Sequence, residues 1–166
     1  MARKRPDIKP DRSAPEGQRG HGDSRSRDSA VSALRQGQFY LESDSYSDAM
    51  EYFLRVEGGA LKSQLSDAEV ATLYAGLARC CLGLGKHAEA RGYASQAAGF
   101  AVRSGNAIAA AEADVIVAKT ESKSGHFRKS LRAAERAYAV LRKEPDSALL
   151  AEASKVLGTA TRNSGT

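Results

Sequence analysis

Glycine falls at positions 85, 105, 125 and 165 of this chain, and Pro145 holds the place between the last two. A helix breaker therefore returns every 20 residues along the second half. The segments between breakers are rich in alanine and carry apolar residues at helical spacing. Breakers on a fixed period, with amphipathic helices between them, predict equal-length antiparallel helices stacked as a repeat array.

Seven helices can be placed on this ruler. The first spans about 29–43, opens at Asp28 as N-cap, and carries Val31, Leu34 and Leu41. Asp44-Ser45 breaks it. The second, about 46–57, presents Tyr46, Ala49, Met50, Phe53 and Val56 on one stripe, and Gly58-Gly59 stops it. Ser66-x-x-Glu69 is a capping box that opens the third helix, with Ala71, Tyr74, Leu77, Ala78 and Cys81 on its stripe. The fourth carries Ala90, Tyr93, Ala94, Ala97 and Ala101. Asn106 caps the fifth, which bears Ile108, Ala111, Val115 and Ala118. The sixth has Phe127, Leu131, Ala134, Ala137 and Leu141. Pro145-Asp146 is a stop followed by a cap, and the seventh carries Leu149, Leu150, Ala153, Val156, Leu157 and Ala160. No segment alternates with period two, so no strand is expected. Alanine at facing positions lets helix axes approach toward about 8 Å, the close end of the packing range.

The basic character is concentrated at one end. Residues 1–27 hold eight Lys/Arg and four acids, whereas the remainder holds 17 basic and 16 acidic residues. Three of the four prolines lie in the same segment, with few apolar residues, so 1–27 is expected to be a disordered basic tail. Residues 28–166 form the repeat domain. A nucleic-acid-binding domain would instead carry its basic stripe on the folded part, which makes that class the least favoured. Arg3-Lys4-Arg5 reads as a solvated basic start more readily than as a nuclear signal or phosphate contact. No apolar h-region follows it, and no apolar run reaches the roughly 18 residues of a membrane span. The two cysteines, Cys80 and Cys81, are adjacent in one helix and diverge by about 100°. They form no disulfide framework or zinc site, and a reducing, cytoplasmic setting is expected.

These residues resemble the tetratricopeptide repeat, whose pattern is W-x2-L-G-x2-Y followed by A-x3-F. Gly37-x2-Tyr40 with Ala49-x3-Phe53 fits it well. Tyr74-x2-Leu77-Ala78-x2-Cys81 with Ala90-x3-Ala94 is a softened copy. Val117-Ala118 with Ser130-x3-Ala134 is a third, and Leu157-Gly158 begins a fourth. The small residue of the first helix precedes that of the second by 12 in each copy: 37 to 49, 78 to 90, 118 to 130. The sequence departs from the pattern in having no tryptophan; Ala33, Asp114 and Ser154 stand in the aromatic's place. The period is 40 against about 34 in the common form, similar to longer repeats of bacterial signalling and transcription-regulator proteins. The implied fold is all-α, a right-handed superhelical solenoid of antiparallel pairs, with repeats at 29–58, 66–104, 106–144 and an incomplete one at 146–166. An irregular helical bundle is the competing architecture.

Little in the chain could carry chemistry. His21, His87 and His126 have no ligand or base partners in helical register and read as tail or turn residues. There is no phosphate-binding glycine loop and no nucleophile elbow. No enzyme activity, cofactor or metal is expected.

In this repeat class the first helix of each pair lines the concave binding face. Equivalent places on those helices are Gln38, Arg79, Lys119 and Thr159, with Lys123 one turn beyond Lys119 and Arg162 near the end of the seventh helix. Arg79, Lys119 and Lys123 would form a basic strip suited to an acidic peptide or a free carboxylate, the alternative being ordinary solubilising charges. Some relatives clamp chaperone C-termini with a Lys/Asn set. Leu34, Gln38, Gly76, Glu112 and Ile116 fall at those places here, so that clamp is not expected.

The leading functional expectation is a non-catalytic protein-interaction scaffold, the sensory or regulatory N-terminal repeat region of a larger bacterial regulator. A freestanding adaptor in an assembly or secretion system is the alternative. The expected partner is a protein or peptide, with neither membrane nor nucleic acid. The turn at Ser164-Gly165 suggests an array cut before its next helix. That would leave Val156, Leu157 and Ala160 partly uncovered and open to self-association. The rival reading takes the seventh helix as a polar cap.

Overall fold

The computed structural model describes residues 19–144 and 147–165. Among them the helices are α1 (Arg19–Glu42), α2 (Tyr46–Glu57), α3 (Asp67–Gly83), α4 (His87–Arg103), α5 (Ala107–Lys123), α6 (Phe127–Leu141) and α7 (Ala148–Ser164). A short 3-10 turn, Ala60–Gln64, bridges α2 to α3. Each helix packs on the next. The odd-numbered helices also touch one another in sequence, α1 on α3, α3 on α5 and α5 on α7. They make one continuous inner layer, and α2, α4 and α6 cover it from outside.

One turn, used three times, generates this arrangement. Gly85 and Gly125 take the left-handed conformation (φ 75° and 78°), and Asp44 takes it in the first copy (φ 56°). Each is followed by a residue whose amide bonds the carbonyl five residues back: Ser45 to Tyr40, Lys86 to Cys81 and His126 to Glu121, at 2.8–2.9 Å. This satisfies carbonyls that the helix end leaves unpaired and reverses the chain. Asp44 fills a glycine's place because aspartate tolerates the left-handed region better than most side chains, and its carboxylate accepts a 2.6 Å hydrogen bond from the Tyr46 hydroxyl.

Small residues then set the spacing within each pair. Ala49, Ala78, Ala90, Ala118 and Ser130 are fully buried. Ser130 even donates its hydroxyl to the Ala118 carbonyl at 2.7 Å across the α5–α6 contact. In the first copy the helices close on Phe53. A Cβ added at Gly37 or Gly76 would sit 2.6 or 2.5 Å from its ring, so the ring is held between two bare backbones. The place of the absent tryptophan is filled differently in each copy. Tyr74 stacks on Tyr93 and Phe100, while Asp114 pairs with Arg136 through two contacts (3.1 and 2.5 Å) between α5 and α6.

Several expectations need correction. The helix expected from about 29 already runs from Arg19, so 19–27 is helical rather than part of a tail; residues 1–18 lie outside the described residues. Arg27 ties this stretch to the next repeat, donating to the Gln64 carbonyl at 2.6 Å and to both Glu69 oxygens at 2.9 and 3.1 Å. Pro145-Asp146 also lies outside the described residues, and the cap of α7 is Ser147, which accepts from the Leu150 amide. Ile108, expected on the buried stripe, is 42% exposed; it sits in the first turn of α5, ahead of Ala111, where burial begins. Val156 and Ala160 are buried and Leu157 is half-buried, so of the three residues expected to be partly uncovered only Leu157 is. Val115, buried against α6, has Lys155 as its counterpart on α7, and Ala118 has Gly158. These two places on α7 are thus polar or small where α5 is apolar.

Glu69 joins two devices. It completes the capping box, accepting from the Ser66 amide at 2.8 Å, and it receives Arg27. Burial pushes its carboxyl up, but the Ser66 hydrogen bonds and the Arg27 charge outweigh that, and its pKa lies below the ordinary 4.5. A carboxylate with a lowered folded pKa stabilises fully above its unfolded value, and the contribution is lost as pH falls through the folded one. Glu69→Gln is expected to cost about 1 kcal/mol at neutral pH, as for a lost cap. Urea titrations at descending pH should show the gap from wild type closing below the ordinary glutamate range. A gap constant with pH would mean that the charge of Glu69 contributes nothing.

Candidate binding groove

The inner layer encloses one end of a cavity of about 830 Å³. Its walls come from α3 (Arg79, Leu82), α5 (Ile116, Lys119, Ser122, Lys123) and α7 (Ala151, Glu152, Lys155, Val156, Thr159). The first repeat closes it with Leu41, Asp44 and Tyr46. Tyr46 reaches this position because Gly83 has no side chain: the ring occupies the space a Cβ there would take. The hydrogen bond to Asp44 and partial burial raise the phenol pKa above 10.0, so Tyr46 remains a protonated donor.

Of the residues expected on the binding face, Arg79, Lys119, Lys123 and Thr159 come together here, while Gln38 and Arg162 are exposed and do not line the cavity. The basic strip has an internal counter-charge. Arg79 pairs with Glu112 at 3.1 Å and with Glu152 at 3.6 Å, and Lys119 pairs with Glu152. Lys123 and Lys155 are exposed and make no ion pair among the described residues. The groove therefore combines an apolar floor (Leu41, Leu82, Ile116, Val156), a tied set of charges at its centre and two unpaired lysines.

Of the five chaperone-type clamp places, Gln38 is exposed and the other four serve packing or an ion pair. Leu34 and Ile116 are core residues, Gly76 lies under Phe53, and Glu112 holds Arg79. His126, read as a turn residue without a partner, bonds Glu121 at 2.7 Å, and Arg91 approaches the same carboxylate at 3.8 Å. Glu121 is only 5% exposed, so the cluster ties α4, α5 and the α5–α6 turn. The signal was available: a Glu five residues before His, across a glycine turn. Cys80 and Cys81 are buried free thiols, and burial, with the neighbouring Cys81, pushes the Cys80 pKa to about 12, which disfavours the reactive thiolate. Among the described residues no group of His, Cys, Asp or Glu is arranged to hold a metal ion. No helix among them is long and apolar enough to cross a membrane.

An all-α array of consecutive helix pairs with a groove on its inner layer defines a helical-repeat protein. Among solved structures it is similar to a TPR-like protein from Chlorobium tepidum, with a TM-score of 0.69 at 17% sequence identity, covering 85% of this chain and 95% of that one. At this identity the likeness is one of fold, and the fold is TPR-like. No family model and no curated protein sequence matches the chain.

Proposed function

We propose that this chain is a non-catalytic interaction scaffold that seats a short acidic, partly apolar peptide segment in the groove of its odd-numbered helices. In the narrower role implied by the resemblance, it is the regulatory repeat region of a bacterial regulator. The observation that carries the binding reading is the pairing of an apolar floor with two unpaired lysines, Lys123 and Lys155, on a single cavity. Apolar side chains of the partner gain from burial on the floor, and its carboxylates meet cations already free of internal partners.

A short fluorescently labelled peptide with two leucines flanked by glutamates provides the test, read by anisotropy. Exposed ion pairs are worth roughly 0.2–1 kcal/mol each, and reversal adds repulsion to the loss. Lys123→Glu with Lys155→Glu is therefore expected to weaken binding by about 10- to 100-fold at low salt, and less at high salt. Because neither lysine is tied in the fold, stability should stay within about ±0.5 kcal/mol of wild type. Unchanged affinity in the double variant would remove the groove from the account.

A further inference from the structure

Glu152 stands out within this groove. It projects from α7 between a cation of α3 and a cation of α5, with Oε1 on Lys119 and Oε2 on Arg79. It lines the cavity, whereas Glu112, the other partner of Arg79, does not. One carboxylate with each oxygen on a different cation is the arrangement an incoming carboxylate would adopt at the same place. We propose that Glu152 is a built-in stand-in for a ligand carboxylate, one that an acidic partner must displace and that thereby sets which acidic partners the groove accepts. This inference rests on the groove reading above.

The surroundings allow the exchange. The three side chains keep partial contact with water, at 35% for Arg79, 39% for Lys119 and 28% for Glu152, and ion pairs so placed are weakly held. When Glu152 withdraws, Arg79 keeps Glu112 at 3.1 Å, so no cation is left stranded except the one the ligand takes, Lys119. The withdrawn carboxylate can move into water, with which Glu152 already keeps contact. A partner without negative charge gains nothing from the exchange, because it leaves the tie in place. A carboxylate able to span Lys119 and Arg79 replaces it contact for contact. The tie thus filters for acidic partners and holds α3, α5 and α7 together while the groove is empty.

Glu152→Gln keeps the size of the side chain and removes its charge. Anisotropy titration with the same glutamate-flanked dileucine peptide is expected to show this variant binding on the order of tenfold tighter than wild type. A matched peptide with glutamines for glutamates should show no change. Glu112→Gln should leave the acidic peptide's affinity near wild type, and Glu152→Asp, whose shorter carboxylate retreats from Lys119, should fall between. Helical circular dichroism on the same samples verifies the fold. The inference is overturned if Glu152→Gln binds the acidic peptide no tighter than wild type, or if it tightens both peptides equally. If wild type binds and loses the peptide on reversal of Lys123 and Lys155 while Glu152→Gln changes nothing, the groove stands and the stand-in falls. If neither wild type nor Glu152→Gln binds, both fall.

Discussion

Replacing Phe53 with alanine is expected to lower the stability of the fold by about 3–5 kcal/mol, the usual range for emptying a buried aromatic site. The ring is completely buried, and its neighbours cannot close the gap. Gly37 of α1 and Gly76 of α3 offer only backbone on either side, and helices cannot lean inward without disturbing the Arg27–Glu69 and α1–α3 contacts. The converse substitution tests the same packing. Gly76→Ala favours the helix by about 0.8–1.0 kcal/mol. It also places a methyl 2.5 Å from a ring that is hemmed in on its opposite face, and overpacking of this kind typically costs about 1–3 kcal/mol. The net result should be destabilisation, read as a lower urea midpoint. A stabilised Gly76→Ala would show that Phe53 does not lie between the two glycines.

Ala94→Leu and Ala134→Leu are each expected to cost about 1–3 kcal/mol by overpacking. Both alanines are fully buried at the motif place that Phe53 holds in the first repeat, in the second and third repeats respectively. There the first-helix residues are larger, and a small second-helix residue compensates. Ala94 belongs to the core with Leu73, Leu77 and Ile116, and Ala134 to the core with Val115, Leu141 and Val156. Large and small residues have therefore exchanged places between copies, and a leucine meets a volume already filled. A response within about ±0.5 kcal/mol, as at a surface site, would contradict this reading of the core.

The parts legible in the sequence were those governed by local chemistry. The glycine ruler marked real left-handed turns at Gly85, Gly105, Gly125 and Gly165, because that conformation penalises most other residues. The Ser66–Glu69 box was visible because capping is a contact between residues three apart. The spacing of 12 between small residues survived as buried pairs for the same reason: one turn fixes the register of the two helices it joins. Asp44 in the left-handed position and the 3-10 turn at 60–64 were missed, since aspartate usually signals a cap and five residues give no periodicity.

The early start of α1 was not legible either. The stretch before Asp28 is poor in apolar residues, and what is seen to anchor it is Arg27 reaching Gln64 and Glu69, 37 and 42 positions away. The candidate groove divides in the same way. Matching positions along the period brought Arg79, Lys119, Lys123 and Thr159 to one surface. The neutralising Glu152 could not be read, because its partner Arg79 is on another helix two repeats back. Its own neighbours, Ala151 and Ala153, give no sign of which way it points.

The most direct measurement is to map, by amide and methyl chemical shifts, where the acidic dileucine peptide touches the folded chain. Perturbations are expected to gather on Leu82, Ile116, Lys119, Lys123, Lys155 and Val156, along the inner faces of α3, α5 and α7. Perturbations confined instead to the outer helices, at exposed Val102 of α4 or Tyr138 of α6, would contradict the assignment of the inner layer as the binding surface.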